Sequence, residues 1–253
     1  MNLNFKEYGS GQPVIILHGL LGMLDNWHSF AKKLSQDYWV ILVDQRNHGK
    51  SPHSEEFNYD ILADDLYDFM ETNHIPKSHM IGHSMGGKTV LNFLNKYPEK
   101  VERTIIVDIS PKAYSGGHEK IFEALLDLPL SEIATRKQAY DWLMKRVPEE
   151  STSNFLLKNL RREKGGEFNW KANIEVLRDS YENIKEEIFF SENIEHPSLF
   201  VQAGQSDYIS DDDDTFIGRD FSNYKIVKIE NAGHWVHVDE PEVLLNEVKR
   251  FLD

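Results

Sequence analysis

The sequence contains no cysteine. That excludes disulfides, cysteine-ligated zinc, iron–sulfur clusters and a thiolate nucleophile. Positive charge is scarce: 28 Lys and Arg stand against 42 Asp and Glu, a formal net charge of −14. Binding a nucleic-acid backbone needs a surplus of cations, as does docking on an anionic membrane, so neither partner is expected. No apolar run approaches the ~18 residues of a membrane span. The opening MNLNFKEYGSG lacks the apolar segment of a secretory signal. A soluble, cytoplasmic protein is the expectation. Hydrophobic residues make up 40% and aromatics 11%, enough to build a core and exclude wholesale disorder. A chain of 253 residues fits one large domain, or one domain carrying an insertion.

Short apolar runs alternate with helical patterns. Residues 13–18 (PVIILH) and 38–44 (YWVILVD) are Ile- and Val-rich and read as buried strands. Residues 25–36 between them read as a helix, with Asp25 or Asn26 as N-cap. Ile61, Leu62, Leu66, Phe69 and Met70 share one helical face, with Asp60, Asp64, Asp65 and Asp68 as its wet side. Strand 78–83, helix 85–97 and strand 103–109 follow. Such alternation implies a mostly parallel sheet covered on both faces. It lapses after Pro111, where helical patterns run to residue 190 without a convincing buried strand. Strands resume at 198–203 and 225–230, and a helix at 242–252 closes the chain. The expected organisation is a core of residues 1–110 and 191–253 interrupted by a helical cap at 111–190, long enough to act as a functional lid.

Gly82-His83-Ser84-Met85-Gly86 fits G-x-S-x-G. Chance alone gives that pattern in about one chain of this length in ten. Its context is more specific, because it follows a strand and opens a helix. Glycines at 82 and 86 suit a turn too sharp for neighbouring Cβ atoms, and the turn lifts Ser84 off the sheet edge. A serine hydroxyl needs a base. Among eleven histidines, His234 in Asn231-Ala232-Gly233-His234-Trp235 sits on a loop after the last strand, at the same edge. His237 falls towards the closing helix, His83 should point away on the elbow, and His18 suits a backbone-shaping role. His28, His53, His74, His79, His118 and His196 read as surface or packing residues. An oxyanion needs two preorganised N–H donors. Met85 offers one, and Leu20 in His18-Gly19-Leu20-Leu21-Gly22 the other.

The pieces HGLLG (18–22), DQRNHGKS (44–51), GHSMGG (82–87), GQSD (204–207) and NAGHW (231–235) together resemble the α/β-hydrolase fold over the whole chain. GHSMGGK, VDISP (107–111) and NAGHWVH are most similar to the YbfF-type bacterial esterases. The resemblance implies an eight-stranded sheet with a helical cap. It also implies hydrolysis of acyl esters, and of thioesters such as acyl-CoA, without cofactor or metal. Serine at 84 rather than aspartate argues against the dehalogenase and epoxide-hydrolase branches. The acid has two candidates. Asp207 fits the G-x-x-D turn used by most of the superfamily, whereas YbfF-type relatives resemble a variant with the acid at Asp108. Asp108 sits among apolar residues, where a buried carboxylate needs a partner that His234 would supply. Asp108 is favoured, with Asp207 open.

Asp44, Arg46 and Gly49 read as loop-holding residues, with substrate contact by Arg46 or His48 the lesser alternative. Asp211 to Asp214 read as a solvated helix N-terminus rather than a cation site. The expected protein is a serine hydrolase of short- to medium-chain acyl esters or thioesters, working through an acyl-enzyme. Ser84 is the nucleophile, His234 the base, and the Leu20 and Met85 amides the oxyanion hole. The alternatives are a ligand-binding homologue with little or no turnover, an aminopeptidase, a lactonase or a C–C hydrolase, since the fold does not choose among them. A peroxide-dependent side activity needs only the same site. Monomer and homodimer stay open.

Overall fold

The computed structural model describes all 253 residues. The first half of the chain runs β1 (Phe5–Tyr8), β2 (Pro13–Leu17), α1 (His28–Leu34), β3 (Trp39–Val43), α2 (Tyr59–Thr72), β4 (Ser78–His83), α3 (Met85–Lys96) and β5 (Val101–Val107). A predominantly helical stretch follows: α4 (Glu119–Leu126), α5 (Arg136–Met144), α6 (Glu150–Leu157), β6 (Leu160–Arg162), β7 (Phe168–Trp170), α7 (Ile174–Asp179) and α8 (Tyr181–Lys185). The chain then completes β8 (Ser198–Ala203), α9 (Asp213–Asp220), β9 (Tyr224–Ile229), α10 (Val236–Asp239) and α11 (Pro241–Leu252).

One sheet has the order β1-β3-β2-β4-β5-β8-β9, parallel throughout except for β1 against β3. The α/β-hydrolase architecture is present with seven strands in the main sheet, not eight. Strand β1 is an edge strand whose residues are mostly exposed, so it carries no buried alternation that the sequence reading could register. The short antiparallel hairpin β6–β7 is also absent from that reading, which has only helical patterns between Pro111 and residue 190. Three-residue strands lack the length for a periodicity to show.

The central strands are apolar on both faces because both are covered. Val14, Ile16, Val40, Leu42, Ile81 and Ile105 pack with Phe30 and Leu34 of α1 and Leu244 and Val248 of α11. Their alternates Ile15, Leu17, Ile41, Val43, Met80 and Ile106 pack with Leu62 and Leu66 of α2 and Val90 and Phe93 of α3. Phe122, Leu125, Leu143 and Leu177, from the stretch between β5 and β8, belong to that same apolar cluster. The stretch is also tied down by polar bonds: Tyr59 Oη donates to the Ile184 carbonyl (2.8 Å), Asn159 Nδ2 to the Leu21 carbonyl (2.6 Å), and the Asn173 amide to the Asn47 carbonyl (2.9 Å).

Two acidic clusters differ from the sequence reading. Asp60, Asp64 and Asp68 are exposed on α2, but Asp65 is buried and accepts Nε and Nη2 of Arg46 at 2.5 and 2.9 Å. Asp213 is buried too, accepting from Lys112 Nζ (2.6 Å), Ser110 Oγ (3.1 Å) and the Ser210 amide (2.7 Å). A run of like charges reads as solvated, yet any one member can turn inward where a buried cation or amide meets it. No helix is long and apolar enough to cross a membrane.

Several histidines are folded in as neutral groups. Burial pushes His18 and His79 down to about 4, and His48 and His237 down to about 3. Because these values lie below the unfolded histidine value, the unfolded chain binds more protons as the pH falls through 6.5. Stability is therefore full above that pH and lost towards the folded values. The loss from His48 alone is about 2 kcal/mol between pH 6.5 and 5. Urea unfolding at pH 7.5, 6, 5.5 and 5 should show stability declining with uptake of more than two protons per molecule. Constant stability across that range would contradict neutral burial.

Candidate active site

The backbone turns abruptly after β4. Ser84 adopts φ +51° and ψ −122°, while its amide donates to the Val107 carbonyl of β5 at 3.0 Å. That conformation costs a non-glycine residue on the order of 1–3 kcal/mol and persists only where its surroundings enforce it. Here they leave no space for anything else. A Cβ on Gly82 would stand 2.3 Å from the Gly86 carbonyl oxygen, and one on Gly86 would stand 2.5 Å from that of His18. One strand over, Asp108 follows β5 with φ +48°, and its amide donates to the Val201 carbonyl of β8 at 2.8 Å.

The Asp108 carboxylate is fully buried. Its Oδ1 accepts from the Ala203 amide at 3.1 Å, and its Oδ2 accepts from Ser206 Oγ at 2.5 Å. Oδ2 also lies 2.8 Å from His234 Nδ1, on the loop between β9 and α10. With Nδ1–H donating to the carboxylate, Nε2 is left as a proton acceptor. Asp207 is exposed and makes no hydrogen bond to the imidazole. The Tyr208 ring stacks on His234 with centroids 4.1 Å apart. Ser84 and His234 line one cavity without a direct hydrogen bond, a looseness common before substrate tightens such a pair.

Leu20 and Met85 flank the serine. The Met85 N–H opens α3 and so has no acceptor within the helix. The Leu20 N–H has no partner in the protein. The loop that carries Leu20 is pressed against Ser84, since a Cβ on Gly19 would lie 3.2 Å from Ser84 Cβ. Together these groups offer a hydroxyl, an oriented imidazole and two free amides, the parts that nucleophilic attack on a carbonyl requires.

The sequence reading leaves His83 and His118 outside the site, and the structure brings both in. His83 is buried beneath the His234 loop, and its Nε2–H donates to the His234 carbonyl at 2.8 Å. Burial and its histidine neighbours hold it well below the ordinary value, so it is neutral. Its position directly before the nucleophile, at the tip of a central strand, is the one sequence cue that it meets a neighbouring loop. His118 lines the same cavity as Ser84 and shares a 2.8 Å hydrogen bond with Tyr181 Oη. His237, also a lining residue, stacks on Trp27 at 4.2 Å.

Residues 44–51 form a brace rather than a wall of the site. Asp44 accepts from the Leu24 amide (2.7 Å) and the Lys50 amide (2.9 Å), His48 Nε2 accepts from the Leu21 amide (3.1 Å), and Arg46 is committed to Asp65. Gly49 has φ +57°, and a Cβ there would fall inside the Asp44 carboxylate. No group of three or more His, Asp or Glu side chains is arranged to hold a metal ion.

Two cavities meet at Ser84. The larger, of about 520 Å³, includes His234, Trp27 and Phe155 in its wall. The smaller, of about 330 Å³, includes Met85, Tyr59, Tyr114, Tyr181 and Lys88. Lys88, one turn after the nucleophile, is almost wholly buried without a carboxylate partner. Its Nζ donates to the carbonyls of Lys112 (2.8 Å) and Glu186 and lies 4.9 Å from the centre of the Tyr114 ring. Burial lowers its ammonium to about 7.

Residues 12–241 match the family model described as the alpha/beta hydrolase fold. The chain is 38% identical to the sn-1-specific diacylglycerol lipase ABHD11 of Danio rerio, over 98% of this chain and 80% of that protein. It is 35% identical to the esterase YbfF of Escherichia coli strain K12, over 96% of this chain and 94% of that one. Among solved structures, a marine microorganism esterase superposes with a TM-score of 0.96 at 38% identity, covering 98% of each chain.

A fluorophosphonate probe should label the wild type and leave Ser84→Ala unlabelled. His83→Leu removes the donor to the His234 carbonyl and should slow labelling about tenfold or more. His83→Gln restores a donor near the Nε2 position and should recover much of the rate. Label persisting on Ser84→Ala would move the nucleophile elsewhere, and equal rates for the Leu and Gln variants would deny His83 its part.

Proposed function

This chain belongs to the α/β-hydrolase fold family and within it to the YbfF type, and from that membership we propose that it is a serine hydrolase of short- to medium-chain acyl esters or thioesters. The observation that carries the reading is the 2.8 Å contact between His234 Nδ1 and the buried Asp108, beside a serine held in a left-handed turn. The esterase and lipase relatives support the ester class.

Ser84 Oγ attacks the acyl carbonyl while His234 Nε2 takes its proton. The imidazolium that forms is stabilised by the Asp108 carboxylate, which the Ala203 amide and Ser206 hydroxyl keep in place. Negative charge developing on the carbonyl oxygen is met by the Leu20 and Met85 amides. His234 then protonates the departing alkoxide or thiolate, and water, activated by the same imidazole, releases the acid. No step needs a cofactor. Residues 111–190 serve as a cap, because the smaller cavity is walled partly by Tyr114, Tyr181 and Ile184 from that stretch.

The choice of acid makes the sharpest test. Asp108→Asn keeps the shape but removes the carboxylate that fixes the imidazole tautomer. Loss of kcat should approach the ~10⁴ known for such a change in a serine protease. Asp207→Asn, at an exposed position without a bond to His234, should cost about tenfold or less. Steady-state kinetics on 4-nitrophenyl butyrate decides: the reverse order reassigns the acid to Asp207, and comparable losses mean that neither aspartate acts alone. A series of 4-nitrophenyl esters run beside acyl-N-acetylcysteamine thioesters measures acyl length and bond type together. Rates falling steeply for acyl chains shorter than about twelve carbons would overturn the chain-length assignment.

A further inference from the structure

The serine-hydrolase reading leaves open which half of the substrate enters which cavity and what leaving group the site accepts. Both cavities reach Ser84 and Leu20, so the scissile carbonyl lies at their junction. The leaving atom must receive its proton from His234, so the leaving group has to depart on the side of that imidazole. His234 lines only the larger cavity, and Met85 only the smaller one. The acyl half therefore enters the smaller cavity and the leaving group the larger.

The two walls differ in chemistry. Three of the four tyrosine hydroxyls of the acyl side are already engaged: Tyr59 donates to the Ile184 carbonyl, Tyr114 to the Tyr208 carbonyl, and Tyr181 is bonded to His118, while Tyr208 lines both cavities. Ring surface and aliphatic carbon make up much of that wall, which also carries the exposed Ser115 and Asp207 and Lys185, whose ammonium pairs with Glu182. The leaving-group side carries Glu149 and Asp239, and no Lys or Arg lines it. Glu149 accepts only from the hydroxyls of Ser151 and Thr152, and Asp239 from the Gly233 amide. Both carboxylates keep their charge unpaired by a cation. Its aromatic faces, Trp27, Phe155 and Trp235, suit a neutral or cationic ligand. The whole chain adds a field of the same negative sign, at net −14. A phosphate brought to this wall meets two carboxylates with no counter-charge to offset them.

We propose that the cavity beside His234 is a leaving-group site selective for neutral or cationic alcohols and thiols, and that it rejects phosphate-bearing ones such as glycerol phosphate or coenzyme A. Selection acts on the charge of the leaving group, not on whether the bond is an ester or a thioester.

Hexanoyl esters of choline, glycerol and glycerol 3-phosphate, with hexanoyl-CoA and hexanoyl-N-acetylcysteamine beside them, isolate charge from bond type. At low salt, kcat/KM for the choline and glycerol esters should exceed that for the glycerol phosphate ester tenfold or more. The neutral thioester should exceed hexanoyl-CoA by a similar factor. Both gaps should shrink at about 0.5 M salt, and shrink likewise in the Glu149→Gln/Asp239→Asn double variant, with folding checked by its thermal melt. Equal rates across charges, or gaps that the double variant and salt leave untouched, overturn the inference while the hydrolase reading stands. Failure to cleave any of these substrates overturns the hydrolase reading itself. Ser115→Phe, at an exposed position lining the smaller cavity, should shorten the acyl chain accepted and leave the leaving-group ranking alone. A change in that ranking instead would reverse the assignment of the two cavities.

Discussion

Three parallel strands end side by side, and the chain leaves two of them through a conformation that L-residues avoid. Ser84 and Asp108 both have φ near +50°, and each amide is satisfied by the carbonyl of the next strand along, Val107 and Val201 respectively. The hydrogen bonds that would continue the sheet are thus spent on forcing the turns. Glycine packing behind Ser84 prevents relaxation, since any Cβ at 82 or 86 would enter backbone. The Ser84 hydroxyl and the Asp108 carboxylate are consequently fixed to one rigid platform, with β8 contributing the Ala203 amide that holds the carboxylate from its far side. The imidazole is the one member on a loop, and it is gripped from three directions: by Asp108, by the stacked Tyr208 ring, and by His83 on its own carbonyl. Strain of a few kcal/mol in the platform is affordable because the strands beneath are buried on both faces.

Those features explain what was legible in the sequence. A turn that tolerates no Cβ leaves a glycine pattern, and fully buried strands leave unbroken Ile and Val runs, so the elbow and the central sheet announce themselves locally. The loop bearing His234 could be placed because strand order puts it at the same edge. What escaped were side chains whose burial is decided by a distant partner. Asp65 looks identical to Asp64 in sequence, but only one faces Arg46, nineteen positions earlier. Asp213 lies in a run of four aspartates and is selected by Lys112, a hundred positions earlier. Strand β1 pairs along an exposed edge, where backbone bonding suffices and side chains need not alternate.

The stretch between β5 and β8 looks like an independent unit in sequence because strand–helix alternation stops. Its packing is not independent. Phe122, Leu143 and Leu177 share one apolar cluster with Met80 and Phe93, so these helices belong to the same core as the sheet and its covering helices. Lys88 reinforces that union from within. Its ammonium donates to carbonyls at residues 112 and 186, close to the points where the chain leaves the sheet and returns, and it does so from the helix that Ser84 begins. A buried lysine bonded only to backbone carbonyls is costly to maintain. Its bonds tie residues 112 and 186 to α3 through one side chain.

The polarity of the cleft shows most clearly why composition misleads. Four tyrosines and two lysines around the smaller cavity suggest a polar pocket by count. The hydroxyls of Tyr59, Tyr114 and Tyr181 and the Lys88 ammonium, however, have their partners inside the protein, and an occupied donor has little to offer a ligand. Burial also raises Tyr59, Tyr114 and Tyr181 above the ordinary phenol value, so they stay protonated and uncharged. These three side chains act as rings. Across the junction the reverse holds, because Glu149 and Asp239 accept from neutral hydroxyls and an amide that leave their charge intact. The contrast between the two cavities thus follows from hydrogen-bond accounting, a property of pairs separated by up to 125 residues, which a linear reading of residue types cannot supply.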